Sequence, residues 1–395
     1  MPTNVLIAGG GPAALEAALA LHRLAGERVS TTLLAPEPTL TYRPLSVLAP
    51  FAAGSAPDYP LAQMAADAGF THHRGRLASV DPDAHTVLTD AGECLSYDVL
   101  LVAPGARAVK PFPRASTYTG SDADQEMVHG IVQDVEGGYL RRLAFVVPVG
   151  SSWPLPLYEL ALMLGERAQD MGVDPELHFI TPEPAPLELF GQKAAREVAA
   201  LLTEAQITLH TATRAEPVAN GRLHLQPGGK IIEVDRIVTL PQLLGPAIPG
   251  LPADADGFLV TDAHARVQGV ADVYAAGDAT AFPIKQGGIA CQQADAAAAH
   301  IAARAGAPVV PKPFRPVLRG MLVTERSARF MRRDAANTAQ VAGRALWWPP
   351  AKIAGRELAG YLQELDDEAG RLVGRPVNVP VGDAGTGEIE VLSLH

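Results

Sequence analysis

Val5-Leu6-Ile7-Ala8-Gly9-Gly10-Gly11-Pro12-Ala13-Ala14 decides how the chain is read. Val5 to Ala8 is a continuous apolar run, as expected of a strand buried on both faces in a parallel sheet. The glycines then break it, and Ala17, Ala18, Leu21 and Leu24 recur with helical spacing up to Gly26. A second apolar run, Val29 to Leu34, follows. Strand, glycine turn, helix and strand within about thirty residues make a βαβ unit. Gly9-x-Gly11-x-x-Ala14 sits at its first turn. There Gly9 permits a tight turn, Gly11 lets backbone approach a pyrophosphate, and Ala14 allows close packing of helix on strand. Pro12 and Ala13 start the helix, whose free amides and positive dipole end favour phosphate. The acidic residue that usually closes the second strand is replaced by Ala35 and Pro36, so either Glu37 or backbone groups must hold an adenosine ribose.

A weaker copy of this arrangement begins midway. Leu143 to Val149 reads as a strand, Gly150-Ser151-Ser152 as a turn, Leu157 to Ala168 as a helix and Leu177 to Thr181 as the next strand. Between the copies, Arg76 to Val80 and His85 to Thr89 alternate like antiparallel strands, and Tyr97 to Ala103 is a buried strand ending at Pro104-Gly105. Further on, Val273 to Ala276 runs into Gly277-Asp278, and an alanine-rich helix spans about Ala290 to Ala305. The fold class expected is α/β, with two Rossmann-like domains of three layers, the second inserted in the first. The expected division is 1–110 with 245–310, then 111–244, then a C-terminal region over 311–395.

Separated motifs carry a family resemblance: Gly9 to Ala14, Thr41-Tyr42-Arg43-Pro44-Leu45, Tyr97 to Ala106, Val273 to Asp278, and Lys285-Gln286-Gly287-Gly288-Ile289-Ala290. With these the chain resembles the FAD-dependent pyridine-nucleotide-disulfide-reductase-like flavoproteins. Within them it is most similar to sulfide:quinone oxidoreductases, flavocytochrome c sulfide dehydrogenase flavoproteins and type II NADH dehydrogenases. The resemblance implies non-covalent FAD, with Asp278, after Gly277, accepting from ribityl hydroxyls. It places Ile289 and Ala290 at a helix start facing the flavin N1–C2=O edge, where the dipole stabilises reduced flavin. Arg43-Pro44, Ala103-Pro104-Gly105 and Gln286 line the cleft. Lys285 adds positive charge there or is an ordinary surface lysine. Gln293 is either part of a quinone motif or a plain hydrogen-bonding residue.

The second glycine loop departs from the family pattern. Trp153, Pro154 and Pro156 stand where small residues admit a pyrophosphate, and Pro154 lacks a backbone donor. NAD(P)H binding therefore rests on Ser151, Ser152 and Glu183, ahead of and beyond the helix that opens at Tyr158-Glu159. Cysteine chemistry is limited to Cys94 and Cys291. They lie in a hairpin and on the helix beside the flavin, so a redox pair is not expected, and Cys291 is at most a lone catalytic thiol. Two cysteines also exclude a disulfide framework and a multi-cysteine metal site, and no metal is expected.

Composition narrows the classes further. The 395 residues carry 48% hydrophobic residues and a net charge of −11, against a nucleic-acid binder and against disorder. No signal peptide and no spanning helix are read, so a cytoplasmic location is expected, with attachment to the cytoplasmic membrane face as the alternative. Lys312 to Arg333 holds seven basic residues and one acid in an alternating hairpin with Gly320 between or within its strands. That hairpin, with Trp347 and Trp348, suits either an anionic lipid surface or an ordinary strand pair. The helix read over Lys352 to Glu368 is acidic on its polar side, which favours cover of the flavin domain or a homodimer contact. The function expected is two-electron transfer from a small-molecule donor through FAD to a quinone-like or protein acceptor. NAD(P)H:acceptor (quinone) reduction and a flavin-binding regulatory or structural protein without turnover are the alternatives.

Overall fold

The computed structural model describes residues 1–150, 153–218 and 221–370. Two five-stranded parallel sheets organise them. The first runs Val273–Ala275, Val99–Val102, Thr3–Ala8, Val29–Ala35, Thr71–Arg74, and the second Ser116–Thr117, Arg236–Thr239, Arg142–Val146, Glu176–Ile180, Ile207–His210. The strands of the second thus fall, in sequence, between those of the first. Alternation sorts each strand onto two cores. Val5 and Ile7 face the helices Pro12–Ala25 and Gly287–Arg304, whereas Leu6 and Ala8 face Val80, Val87 and Tyr97 of a small antiparallel sheet. In the second unit, Leu143 and Phe145 join the helical core, and Ala144 and Val146 meet Leu223, Leu225 and Ile232 of another antiparallel sheet. Three layers result in each case: helices, parallel sheet, antiparallel sheet.

Small side chains set the closest packing. Ala14, Ala17 and Ala18 of the first helix share a core with Ala290, Ala294 and Ala297 of the late helix, which lets the two backbones approach. Both helices thereby present their N-terminal ends beside the same sheet edge, above Ala8 and Ala275. An antiparallel ribbon of Arg107–Val109 with Gln242–Leu244 carries the chain between the two units.

The C-terminal region differs from its sequence reading in two respects. The hairpin strands are Leu318–Val323 and Ala328–Arg333, with Gly320 inside the first, and a third strand, Ala339–Ala342, adds to them. Gly320 is there because Phe190 occupies the side-chain position: a Cβ would come within 2.3 Å of its ring. The helix begins at Leu358 and not at Lys352. Its start is fixed by the Glu16 carboxylate, which accepts from the amides of Arg356, Glu357 and Leu358 at 2.6 to 2.8 Å. A side chain from the first helix thus does the work of a local N-cap.

Candidate functional site

At the carboxyl ends of the first sheet, four segments converge. Gly9 follows the first strand with φ +141°, and a Cβ there would lie 2.1 Å from the Ala103 carbonyl oxygen. Only glycine fits. Gly11, in contrast, has nothing within 4 Å of where its Cβ would be. That is open space in front of a helix N-terminus, the cradle an anionic group requires. Pro12 occupies the first helical position, where its missing N–H costs nothing. Gly277 (φ +76°) completes the wall: its Cβ would stand 3.3 Å from those of Ala13 and Ala290.

Glu37 lies exposed just past the second strand, Val29–Ala35. Arg43 is exposed and Pro44 partly so, at the head of the short helix Arg43–Phe51. Ala103 is buried, and Pro104 and Gly105 (φ +82°) carry the chain outward from it.

The turn Gly277–Ala279 holds Asp278, and Gln293 clamps that turn. The Gln293 Oε1 accepts from the Gly277 amide at 2.7 Å, and its Nε2 donates to the Thr280 hydroxyl at 3.2 Å. Gln293 is 4% exposed, so it is the plain hydrogen-bonding residue of the two readings. Burial pushes the Asp278 carboxyl up to about 6, with Lys285 pulling it back. Lys285 is not a surface lysine. It is buried, donates to the Thr280 carbonyl and lies 3.7 Å from the Phe258 ring centroid. Burial lowers its ammonium to about 8, against the pull of Asp278 and Asp254. An acid on this turn and a base that reaches back to its end, both held near neutrality, can retain a proton where the sheet ends.

Three expected roles need correction. The Ile289 amide donates to the Gln286 Oε1 at 2.9 Å and the Ala290 amide to the Gln286 carbonyl at 2.9 Å. Neither is free for a cofactor, because Gln286 caps the helix Gly287–Arg304 itself; the amides of Gly287 and Gly288 are what that end offers. The Gln286 side chain is committed in turn, its Nε2 donating to the Arg319 carbonyl at 3.1 Å. Cys291 is fully buried between the two alanine-rich helices, its Sγ 3.8 Å from the Pro12 carbonyl. Burial, then the neighbouring Glu16 and Asp295, hold its thiol well above the ordinary range, which removes the thiolate a catalytic cysteine needs.

At the second loop, Ser151 and Ser152 lie outside the described residues. Gly150 is exposed with φ +80°, and Pro154 forms the N-cap of the helix Leu155–Asp170. Trp153 packs edge-on against Phe190 at 5.9 Å. Tyr158 is 0% exposed and stacks on Phe179 at 4.1 Å, so it is a core residue. The Glu183 carboxylate accepts from the Tyr158 hydroxyl at 2.6 Å and the Thr181 hydroxyl at 2.9 Å, which occupies the group expected to meet a ribose.

Sequence reading missed Lys352 and left Glu159 as a helix marker. Their side chains meet at 2.6 Å, 5% and 1% exposed. Lys352 also donates to the Pro44 carbonyl at 2.9 Å, and the next amide, Ile353, donates to the Tyr42 hydroxyl at 2.7 Å. Ile353 then covers Gly287, where a Cβ would come within 2.9 Å of it. The one signal available was a charged residue inside an apolar helix, Glu159 between Tyr158 and Leu160.

Residues 3–306 match the model of the pyridine nucleotide-disulphide oxidoreductase family. The chain belongs to that family. An NADH dehydrogenase-like protein of Mycobacterium tuberculosis is 28% identical over 297 residues, 71% of this chain and 73% of that protein. The sulfide-quinone reductase of Aquifex aeolicus is 26% identical over 190 residues, 47% of this chain and 44% of that one. The solved sulfide:quinone oxidoreductase of Aquifex aeolicus superposes with a TM-score of 0.75 at 18% identity, covering 93% of this chain and 90% of that one. A ferredoxin reductase of Rhodopseudomonas palustris superposes at 0.62 and 18% identity, over 84% and 81%. The protein is therefore an oxidoreductase of the Rossmann type. Among the described residues no helix is long and apolar enough to cross a membrane.

Proposed function

We propose that this chain is an FAD-dependent oxidoreductase moving two electrons from a small reductant to a quinone-like or protein acceptor, with no redox disulfide in the path. The observation that carries this is the cradle at Gly9, Gly11 and Gly277. It demands glycine at two points and leaves open space at the third, in front of a helix N-terminus. Residues 1–110 and 245–310 form the cofactor unit in this reading. The flavin supplies two-electron chemistry when bound. The Gly11 amide end holds a pyrophosphate, Glu37 or nearby backbone holds the ribose, and Asp278 accepts from ribityl hydroxyls. Gly287 and Gly288 offer amides toward negative charge on a reduced ring. Lys285, poised near 8, stores or yields a proton beside Asp278. Cys94 is exposed on a strand and Cys291 is sealed, so electrons pass without sulfur relays.

The second reading is an NAD(P)H:acceptor reductase, favoured by the NADH dehydrogenase-like relative and by the second parallel sheet. Pro154 and the occupied Glu183 weigh against it. The test is an anaerobic titration of purified protein, following flavin absorbance as NADH, NADPH and then sulfide are added. Bleaching by sulfide or another small reductant alone supports the first reading; rapid bleaching by a nicotinamide selects the second. A protein purified without flavin overturns both, and flavin that no donor reduces leaves a binding role. A soluble cytoplasmic protein or a homodimer fits the acidic C-terminal helix, and fractionation with light scattering decides both.

A further inference from the structure

Arg319 and Arg332 stand directly opposite each other on adjacent antiparallel strands, with Gln340 next in line on the third strand. Residues so paired share one face, with Cβ atoms roughly 4.5–5.5 Å apart, and like charges in that position repel. Their neighbours on the same hairpin are all satisfied. Arg326 meets Asp170, Arg329 meets Glu197, and Arg333 bonds the Leu189 carbonyl and Asn337. Among the described residues no carboxylate pairs with Arg319 or Arg332, and the Nε atom of each is buried without a hydrogen-bond partner. Next along this face is the pair Met321 and Phe330, both at most 1% exposed, so the two arginines share it with apolar side chains. Burial and the charge of Arg332 together push Arg319 below its ordinary range.

We propose that Arg319 and Arg332 form a binding site for a small oxyanion, a carboxylate or sulfur oxyanion whose oxygens bridge the two guanidiniums. An anion there converts a repulsive pair into two charge-assisted hydrogen-bonding partners, reached from the half-buried side of the two guanidiniums. Arginine suits the task because its planar fork matches oxyanion geometry. The site also has a fixed place. The Arg319 carbonyl accepts from Gln286, the cap of the helix bounding the cofactor cleft, and Gln292 of that helix exchanges two hydrogen bonds with Val317. Its occupant is therefore attached to the framework of the cleft. The inference stands on the arginine geometry and not on the flavin reading.

The experiment uses the full chain as purified, with sulfate and malonate as probes and chloride at matched ionic strength as reference. Calorimetric titration and thermal melts are run on the parent, Arg319→Met, Arg332→Met and Arg315→Met, the last an exposed arginine on the preceding segment. The expected result is saturable binding and a raised melting temperature in the parent and in Arg315→Met. Loss of either paired arginine weakens binding by about tenfold or more, as for a charge-assisted bond removed. The melts should cross over: in chloride Arg332→Met melts at or above the parent, because repulsion is relieved, and in sulfate it melts below. Equal responses of parent and Arg332→Met to sulfate would overturn the site. So would a lower melt of Arg332→Met in both salts together with no titration heat in the parent. A response seen only after residues 371–395 are deleted would assign the pair to the chain's own carboxylates and overturn the free ligand.

Discussion

Lys352→Met should be among the most costly single changes outside the glycine cradle, and its cost should depend on pH in a defined direction. The Lys352 ammonium lies 2.6 Å from the Glu159 carboxylate, with both side chains almost fully buried. It also holds the Pro44 carbonyl at 2.9 Å. After the change Glu159 keeps only the Val323 amide at 2.9 Å, and its Oε2 already lacks a partner. Removing one member of a buried pair typically costs about 3–5 kcal/mol, since the charge left behind is neither solvated nor matched. Burial raises the Glu159 carboxyl and lowers the Lys352 ammonium, each charge pulling the other back toward ionisation. Without Lys352, the Glu159 carboxyl rises further. The folded state then keeps a proton that the unfolded chain releases near the ordinary value of 4.5, so the variant loses stability, relative to the parent, as pH rises above that point. Urea unfolding followed by ellipticity at pH 5.5 and pH 8 reads both quantities. The double variant Glu159→Leu/Lys352→Met should recover most of the loss, because two apolar groups leave no stranded charge. A loss below about 1 kcal/mol, the range of an exposed ion pair, would refute the reasoning. A loss equal at both pH values would refute its electrostatic part.

Gly9→Ala should abolish folding or cofactor retention, since its Cβ would enter the Ala103 carbonyl; soluble yield and flavin absorbance report it. Thiol titration of the native protein should count Cys94 promptly and Cys291 only in denaturant, and Cys291→Ala should keep turnover. Retained activity would exclude a lone catalytic thiol. Asp295, raised to about 8 by burial and by Glu16, makes the folded state hold a proton that the unfolded chain loses. Its contribution is present below the unfolded value of 3.8 and is lost as pH rises to about 8. Melting temperatures should decline across that window in the parent and less in Asp295→Asn. In the proposed role Asp278, raised to about 6, accepts from cofactor hydroxyls more strongly when ionised, so flavin retention in dialysis should weaken below about pH 6 and lose that dependence in Asp278→Asn.

The first βαβ unit was legible because its signals are local. A buried parallel strand is a continuous apolar run, and Gly9 meets a backbone demand that no other residue meets. The same holds for Val99 to Val102 and Val273 to Ala275, whose pairing in the first sheet follows from identical patterning. The helices Asp122–Glu136 and Gln192–Glu204 escaped because their apolar spacing is diluted by polar residues, although Ser121 and Asp124 form a capping box. The expected start of the last helix failed for a different reason. Its cap, Glu16, is supplied from more than three hundred residues away, and no window of sequence contains both. At Ile289 and Ala290 a helix start is legible but its donors are not free, because the preceding Gln286 takes both amides.

That difference separates the glycine cradle from its surroundings. The cradle depends on consecutive residues, whereas the cover over it depends on pairs that only the fold creates. Tyr42 with Ile353, Glu159 with Lys352 and Glu16 with Arg356 to Leu358 all pin one short stretch beside Gly287 and Gly288. With its anchors drawn from both parallel-sheet units, this stretch cannot swing away as a lid without breaking a buried ion pair and uncapping a helix. A reductant or acceptor must reach the cleft around it. In the proposed function, specificity is left to side chains outside this pinned stretch, among them Arg43, Trp153 and the Arg319–Arg332 pair. Each of these is an ordinary surface or core residue by sequence pattern, and only their placement makes them candidates for recognition.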